Sequence, residues 1–98
     1  MLTINIASEA GTFAENKDVA KRIREKQILP TLMDESEEIT LDFVSVTGAT
    51  QSFIHALISE AIRKHGDDVF NRMYFKNCSA AVEQTINTVA DYMEDAQG

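Results

Sequence analysis

Residues 39–46 read ITLDFVSV, and residues 47–53 read TGATQSF. The first stretch is rich in β-branched and aromatic residues, so it predicts a buried strand at about 38–46. The second is a tight polar loop, and an amphipathic run follows it from Ser52 to His65. A strand, loop and helix in this order aim the free N–H groups of the helix, and the positive end of its dipole, at the loop.

The predicted central strand carries apolar side chains on both faces. Ile39 and Leu41 lie on one face, and Val44 and Val46 lie on the other. This pattern is typical of a strand covered by helices on both sides, as in a parallel sheet. Asp42 interrupts it, and because a buried carboxylate without a partner is costly, we expect its side chain to accept a hydrogen bond.

The N-terminal part of the chain predicts a strand followed by a helix. Apolar and polar residues alternate over residues 2–6, which is typical of a short strand. Residues 12–15 read TFAE, a capping box that would open the helix directly. We expect this helix to end near residues 26–27, because Pro30 disfavours helical geometry in the residue before it.

The C-terminal half repeats the order of strand and helix. The helix that begins at Ser52 is predicted to stop at Gly66, a residue suited to the end of a helix. Residues 72–76 predict a third strand, after which Asn77 or Ser79 caps a last helix. The predicted order is βαβαβα, an α/β domain with a mainly parallel sheet flanked by helices. An uncovered strand edge would suit a homo-oligomer contact.

Composition places the chain among single-domain globular proteins, with one domain over residues 1–98. It is 44% hydrophobic and 26% charged, and it contains one proline and one cysteine. We find no basic leader and no long apolar stretch, so we expect a cytoplasmic protein without a membrane span. The net charge of −7 argues against nucleic-acid binding, which needs clustered cations.

The charges are nevertheless unevenly distributed. Five of the nine basic residues fall within residues 17–26, whereas acidic residues gather at residues 34–38 and at the C-terminal end, where Asp91, Glu94 and Asp95 lie. One basic helix on an acidic body is suited to an acidic partner. The alternative interpretation is an ordinary solvated helix face.

The residues that could support catalysis or metal binding lack the necessary spacing. His55, His65 and Cys78 do not have the separations of a metal site, so we predict no metal. Ser52 has His55 three residues on, but no Gly-x-Ser-x-Gly elbow surrounds it, and we predict no hydrolase activity and no other enzymatic activity. Gly11 is a lone glycine without a nucleotide-binding signature.

The loop before the second predicted helix offers a candidate phosphate or anion site. Thr50 and Ser52 lie where helix N–H groups and the helix dipole stabilise negative charge. The alternative is that these hydroxyls only cap the helix, as Ser and Thr commonly do.

Four short motifs indicate a family resemblance. The chain carries GTFA at residues 11–14, LDFxxV at 41–46, SF at 52–53 and YFxN at 74–77. With these motifs it resembles the STAS-like domains of unknown function, bacterial relatives of the anti-sigma-factor antagonist (STAS) domains. The motifs span nearly the whole chain.

The resemblance implies a docking role for the loop. In the antagonists, a serine in a loop that reads Asp-Ser-Ser-Gly is phosphorylated by a partner ATPase related to histidine kinases. Here residues 50–53 read TQSF, so Ser52 matches the second serine and Gln51 takes the place of the usual phosphoacceptor. The resemblance therefore implies the fold, a docking surface and a partner of the ATPase class more directly than it implies phosphorylation.

Two functional hypotheses follow. The first is a non-enzymatic regulatory interaction module of a bacterial or phage pathway, without a cofactor, which docks a protein partner through residues 48–59. The second is a small-ligand or nucleotide sensor that binds at the helix N-termini, with Gly11 and Thr12 as a candidate ligand loop. The predicted docking surface of the first consists of Asp42, Gly48, Gln51, His55 and Ser59.

Overall fold

Five strands and five α-helices follow one another along the part of the chain that the structure describes. The computed structural model covers residues 1–97, apart from the side chains of Asp67 and of residues 94–97. The strands are β1 (Leu2–Asn5), β2 (Phe13–Ala14), β3 (Ile39–Asp42), β4 (Gly48–Ala49) and β5 (Met73–Lys76). The helices are α1 (Ile6–Ala10), α2 (Lys17–Ile23), α3 (Leu29–Leu32), α4 (Gln51–His65) and α5 (Ala80–Gln97).

The three longer strands form one parallel sheet. The strand order is β1-β3-β5, with β3 in the centre. Ile39 pairs with Leu2 on one side and with Met73 on the other. The predicted α/β architecture with a parallel sheet is thus confirmed, and the strand that decided the prediction is its central strand.

Helices cover one face of this sheet, and the expectation that both faces are covered is wrong. Ile39 and Leu41 are completely buried, and of the edge-strand residues that flank them Ile4 and Met73 are buried and Leu2 and Phe75 partly buried. The opposite face is polar: Thr3 and Tyr74 on the edge strands are exposed, and Thr40 on the central strand between them is buried. β3 ends at Asp42, so the apolar residues after it lie outside the strand, where Val44 is exposed and Val46 is buried.

A second, two-stranded sheet was not predicted from the sequence. β2 pairs with β4 in parallel, with Phe13 opposite Gly48 and Ala14 opposite Ala49. Because β2 occupies residues 13–14, the predicted capping box does not form. Asn16 caps α2 instead, and its side-chain oxygen accepts hydrogen bonds from the N–H groups of the first turn.

The helical rod also continues past Pro30, contrary to the prediction. A π-helical segment (Arg24–Ile28) joins α2 to α3, and the N–H of Leu29 bonds to the carbonyl of Arg24, five residues back. Pro30 follows this wider turn directly and lies at the start of α3. The apolar residues Ile28 and Leu32 then reach the core, where both are completely buried.

α4 is the central helix of the domain. It packs against α2 on one side and α5 on the other. Its apolar period buries Phe53, Leu57 and Ile58 completely against the sheet. The predicted stop is confirmed, because Gly66 follows with a φ of 67°, which glycine adopts without strain. A 3-10 segment (Gly66–Asn71) then leads to β5.

Candidate docking groove

A surface groove of about 650 Å³ runs along α4 between α2 and α5. Five residues of the predicted loop and helix region line it, namely Gln51, Ser52, His55, Ala56 and Ser59. They lie on one side of α4 because they are spaced by three or four residues. Ser59 is only 3% exposed, so it contributes to the floor of the groove. We call this feature the cationic groove because several basic side chains line it.

Basic side chains of two helices line the groove. Lys17, Lys21 and Arg24 come from α2 and the π-helical segment after it, at a spacing of four and three residues, and Arg63 comes from α4. Glu60 is the one carboxylate among the residues that line it. In a chain with a net charge of −7, this is a local concentration of positive charge.

The four cations are not equally free to contact a ligand. Arg24 donates from Nη1 to the carbonyl oxygen of Ala56 at 3.3 Å and is only 17% exposed. Arg63 Nη1 donates to Glu60 at 2.6 Å. Within the described part of the chain, neither Lys17 nor Lys21 forms an ion pair. The two lysines are therefore the cations that remain available.

The wall formed by α5 is less polar. Val89 and Tyr92 lie on it, and Tyr92 is 64% exposed. The rings of His55 and Tyr92 meet edge to face, with 6.4 Å between their centroids, a preferred geometry for aromatic pairs. Val89 and Tyr92 therefore give the groove a less polar wall opposite its lysines.

The two hydroxyls of the candidate phosphate site have different roles. Thr50 is the N-cap of α4, and its Oγ1 accepts from the N–H of Phe53 at 3.1 Å. Ser52 lies in the first turn of the helix, is exposed, and approaches the Thr50 hydroxyl at 3.3 Å. Thr50 is thus engaged in capping, whereas the Ser52 hydroxyl opens into the cationic groove.

The remaining predicted site residues lie elsewhere. Gly48 is buried in β4, where an added Cβ would come within 2.9 Å of the Phe13 ring. Asp42 lies at the end of β3, where Oδ1 accepts from the Asn77 amide and from the Val44 N–H, each at 3.0 Å. These two hydrogen bonds, the first above all, lower the pKa of the Asp42 carboxyl. Its predicted hydrogen bond is therefore confirmed.

The candidate ligand loop does not meet the groove either. Gly11 terminates α1 with a φ of 81°, and its N–H bonds to the carbonyl of Ala7. The carbonyl of Thr12 accepts from both the N–H and the hydroxyl of Thr47. Since α2 begins only at Lys17, neither Gly11 nor Thr12 belongs to its first turn.

The basic run is visible in the sequence, but nothing local connects it with the loop before α4. The spacing of Lys17, Lys21 and Arg24 places them on one side of a helix, and this signal was readable. Their position beside α4, and the contribution of Tyr92 from the far end of the chain, follow from packing that no local pattern specifies.

Across the residues that the structure describes, no three His, Cys, Asp or Glu side chains are grouped so as to hold a metal ion. No described helix has the length and hydropathy needed to cross a membrane.

Comparison with known families identifies the fold. A family profile described as a STAS-like domain of unknown function matches residues 19–83, which is more than half of the chain. The chain is a member of this STAS-like family. The matched range includes most of α2 and all of β3, the loop and α4, and so covers most of the cationic groove. No curated protein and no solved structure matches this STAS-like domain significantly.

Proposed function

We propose that this STAS-like domain is a non-enzymatic regulatory module that binds a protein partner through the loop before α4 and the exposed side of α4. The observation that carries the proposal is the convergence of Gln51, Ser52, His55 and Ser59 on one groove. An exposed tyrosine on one wall suits a protein interface, where Tyr is enriched, and the cations on the other wall suit an acidic partner.

The identity of the partner rests on the resemblance to anti-sigma-factor antagonists. On that basis we propose an ATPase related to histidine kinases, in the cytoplasm of a bacterium or of a phage-infected cell. In this proposal Ser52 is the phosphoacceptor, because its hydroxyl is exposed whereas that of Thr50 caps α4. A phosphate on Ser52 would lie in the first turn of α4 and in the same groove as Lys17 and Lys21.

The test is a quantitative pull-down from the native host with three forms of the full chain. The groove variant carries Gln51→Glu and His55→Glu. The matched control carries Gln84→Glu and His65→Glu, the same two changes at positions that do not line the groove. Thermal unfolding first establishes that both variants fold as the wild type does.

We expect the wild type and the control to retain one shared partner that the groove variant loses. Purified partner and domain should then bind directly in titration calorimetry. A partner held equally by all three forms, or no reproducible partner at all, would refute the docking role. Mass spectrometry of the captured domain tests phosphorylation separately. We expect a phosphopeptide that includes Ser52, and its absence would refute phosphorylation at this residue.

The positive charge of the groove also favours a second candidate function, a sensor of small phosphorylated ligands. Lys17 and Lys21 lie in the same groove as Ser52 in the first turn of α4, and such an arrangement attracts phosphates. A thermal-shift panel of nucleotides tests it, because a ligand at 100 times its Kd adds about 2.7 kcal/mol of stability. A flat response across the panel excludes this function.

A further inference from the structure

The cationic groove has the shape of a trough. α4 forms its floor, α2 and the π-helical segment after it form one wall, and α5 forms the other. The residues of α4 that line it extend from Gln51 to Arg63, which corresponds to about 18 Å at the rise of an α-helix. Three of the seven α4 residues that line it have small side chains, namely Ser52, Ala56 and Ser59, so a second backbone can approach α4 closely at these positions.

The charges in the trough are spread along its length. Lys17 and Lys21 are one helical turn apart, and Arg24 lies about 10 Å from Lys17 along the axis, at 1.5 Å per residue. Lys17 and Lys21 are close enough to meet one phosphate, but a row of cations on successive turns also matches a row of carboxylates with the same spacing, as an acidic helix presents at positions i and i+4.

The length of the trough also fits a helix. Its floor of about 18 Å corresponds to more than three turns of an α-helix at 5.4 Å per turn. Val89 and Tyr92 lie on the wall opposite the lysines, and an amphipathic occupant would place its apolar side chains there.

The acidic run of the chain itself is a poor occupant. Residues 34–38 do not form a helix. Asp34 accepts two hydrogen bonds from Ser36, and Glu38 accepts one from the Tyr74 hydroxyl. Binding this run in the trough of a second copy would break those contacts, so the charge complementarity points to another protein.

We propose that the cationic groove binds an acidic amphipathic helix of a partner protein, with two carboxylates one turn apart facing Lys17 and Lys21. This inference rests on the proposed docking function and specifies the chemistry of the partner. The exposed lysines give most of the discrimination against neutral and basic helices, whereas Tyr92 and the small residues of the floor give shape and apolar contact.

An unbiased selection tests the proposal without the natural partner. The probe is a phage-displayed library of helical peptides of about 16 residues, long enough to span the trough and to form a helix. The full chain is the target. We expect the enriched peptides to be acidic, with Asp or Glu at positions i and i+4 of one face.

Charge reversal then locates the binding site. The variant Lys17→Glu/Lys21→Glu should bind the enriched peptides about tenfold more weakly, which is the size expected for reversing two exposed charges. The matched control, Lys26→Glu/Lys64→Glu, has the same net charge but alters lysines outside the groove, and it should bind nearly as the wild type does. Peptides with the two facing carboxylates changed to lysine should recover binding to the first variant.

Several results would overturn the inference. Enriched peptides that are neutral or basic would do so, as would equal weakening by both double variants or a library that yields no helical binders. If the chain self-associates, and the groove variant with Gln51→Glu and His55→Glu does not, the occupant is a second copy of the chain. In another outcome, pyrophosphate or ATP protects Lys17 and Lys21 from chemical acetylation while the peptides give no protection. That result would assign the groove to a small ligand. The peptide selection tests the acidic-helix proposal and needs no host protein. Its failure can therefore be distinguished from a failure of the pull-down, which tests the docking function.

Discussion

The side-chain amide of Asn77 donates a 3.0 Å hydrogen bond to Oδ1 of Asp42 and so joins the ends of two neighbouring strands, β5 and β3. Asn77 adopts a φ of 58°, a left-handed conformation that Asn tolerates better than most residues. The sequence predicted that Asp42 has a partner, but the partner lies 35 residues further along the chain.

This hydrogen bond predicts the pH dependence of the variant Asn77→Gly. Glycine keeps the left-handed backbone and removes the amide, so the pKa of Asp42 should rise toward its ordinary value of 3.8. In the wild type the lowered pKa contributes stability that is present above 3.8 and is lost as the pH falls through the lowered value. We therefore expect the variant to lose less stability than the wild type as the pH falls below 3.8. NMR titration of the Asp42 carboxyl checks the pKa, and an unchanged pKa would contradict the role of Asn77.

The N-cap of α4 predicts a difference between two neighbouring hydroxyls. Thr50→Ala removes the oxygen that accepts from Phe53 N–H and should lower the free energy of unfolding by about 1 kcal/mol. Ser52→Ala is the matched control, since the Ser52 hydroxyl caps no backbone group in the described structure, and it should cost at most about 0.5 kcal/mol. Urea unfolding measures both. Equal losses would mean that Ser52 shares the cap.

The contact of Phe13 with Gly48 predicts coupling between the two short strands β2 and β4. In Gly48→Ala the new methyl would come within 2.9 Å of the Phe13 ring, so we expect a loss of about 1 kcal/mol of stability as the ring is displaced. In a Phe13→Ala background the same change should cost less, because the obstructing ring is gone. A double-mutant cycle by chemical denaturation measures the difference, and strictly additive costs would show that the ring does not restrict position 48.

Arg72 predicts the largest loss of stability. It is only 9% exposed, and its guanidinium donates to the carbonyl oxygens of Leu32, Asp34 and Glu37 at 2.6 to 3.2 Å. Arg72→Met should cost about 2 to 4 kcal/mol, because three acceptors lose a charged donor at once. Arg63→Met, which breaks one exposed pair with Glu60, is the control and should cost at most about 1 kcal/mol. Similar urea midpoints of unfolding for the two variants would contradict the stabilising role of the Arg72 hydrogen bonds.

Local patterns in the sequence determined the main elements of the domain. The alternation in β1, the apolar run of β3 and the helical period of α4 all specify structures held together by hydrogen bonds within one element or between regular neighbours. Gly66 and Ser79 also mark a helix end and a helix start where they were predicted. These features depend on residues close together in the chain, and a single sequence is sufficient to read them.

Tertiary packing decided the rest. The pairing of Phe13 with Gly48 turned a predicted helix start into a strand, since backbone groups far apart in sequence satisfied one another there. A π-helical turn carried the helical rod past Pro30 because burial of Leu32 favours its continuation. The open polar face of the sheet followed from placing the helices on the other side.

The cationic groove shows the same division. The sequence by itself determined a basic helix, an amphipathic helix with a capped start and a family resemblance that covers both. Only the tertiary structure set α2 and α5 on either side of α4, so that Lys17 and Lys21 face the same space as His55 and Tyr92. The physical reason is that each helix buries its own apolar face against the core, and the polar residues left at the edges of those faces meet only when the helices pack.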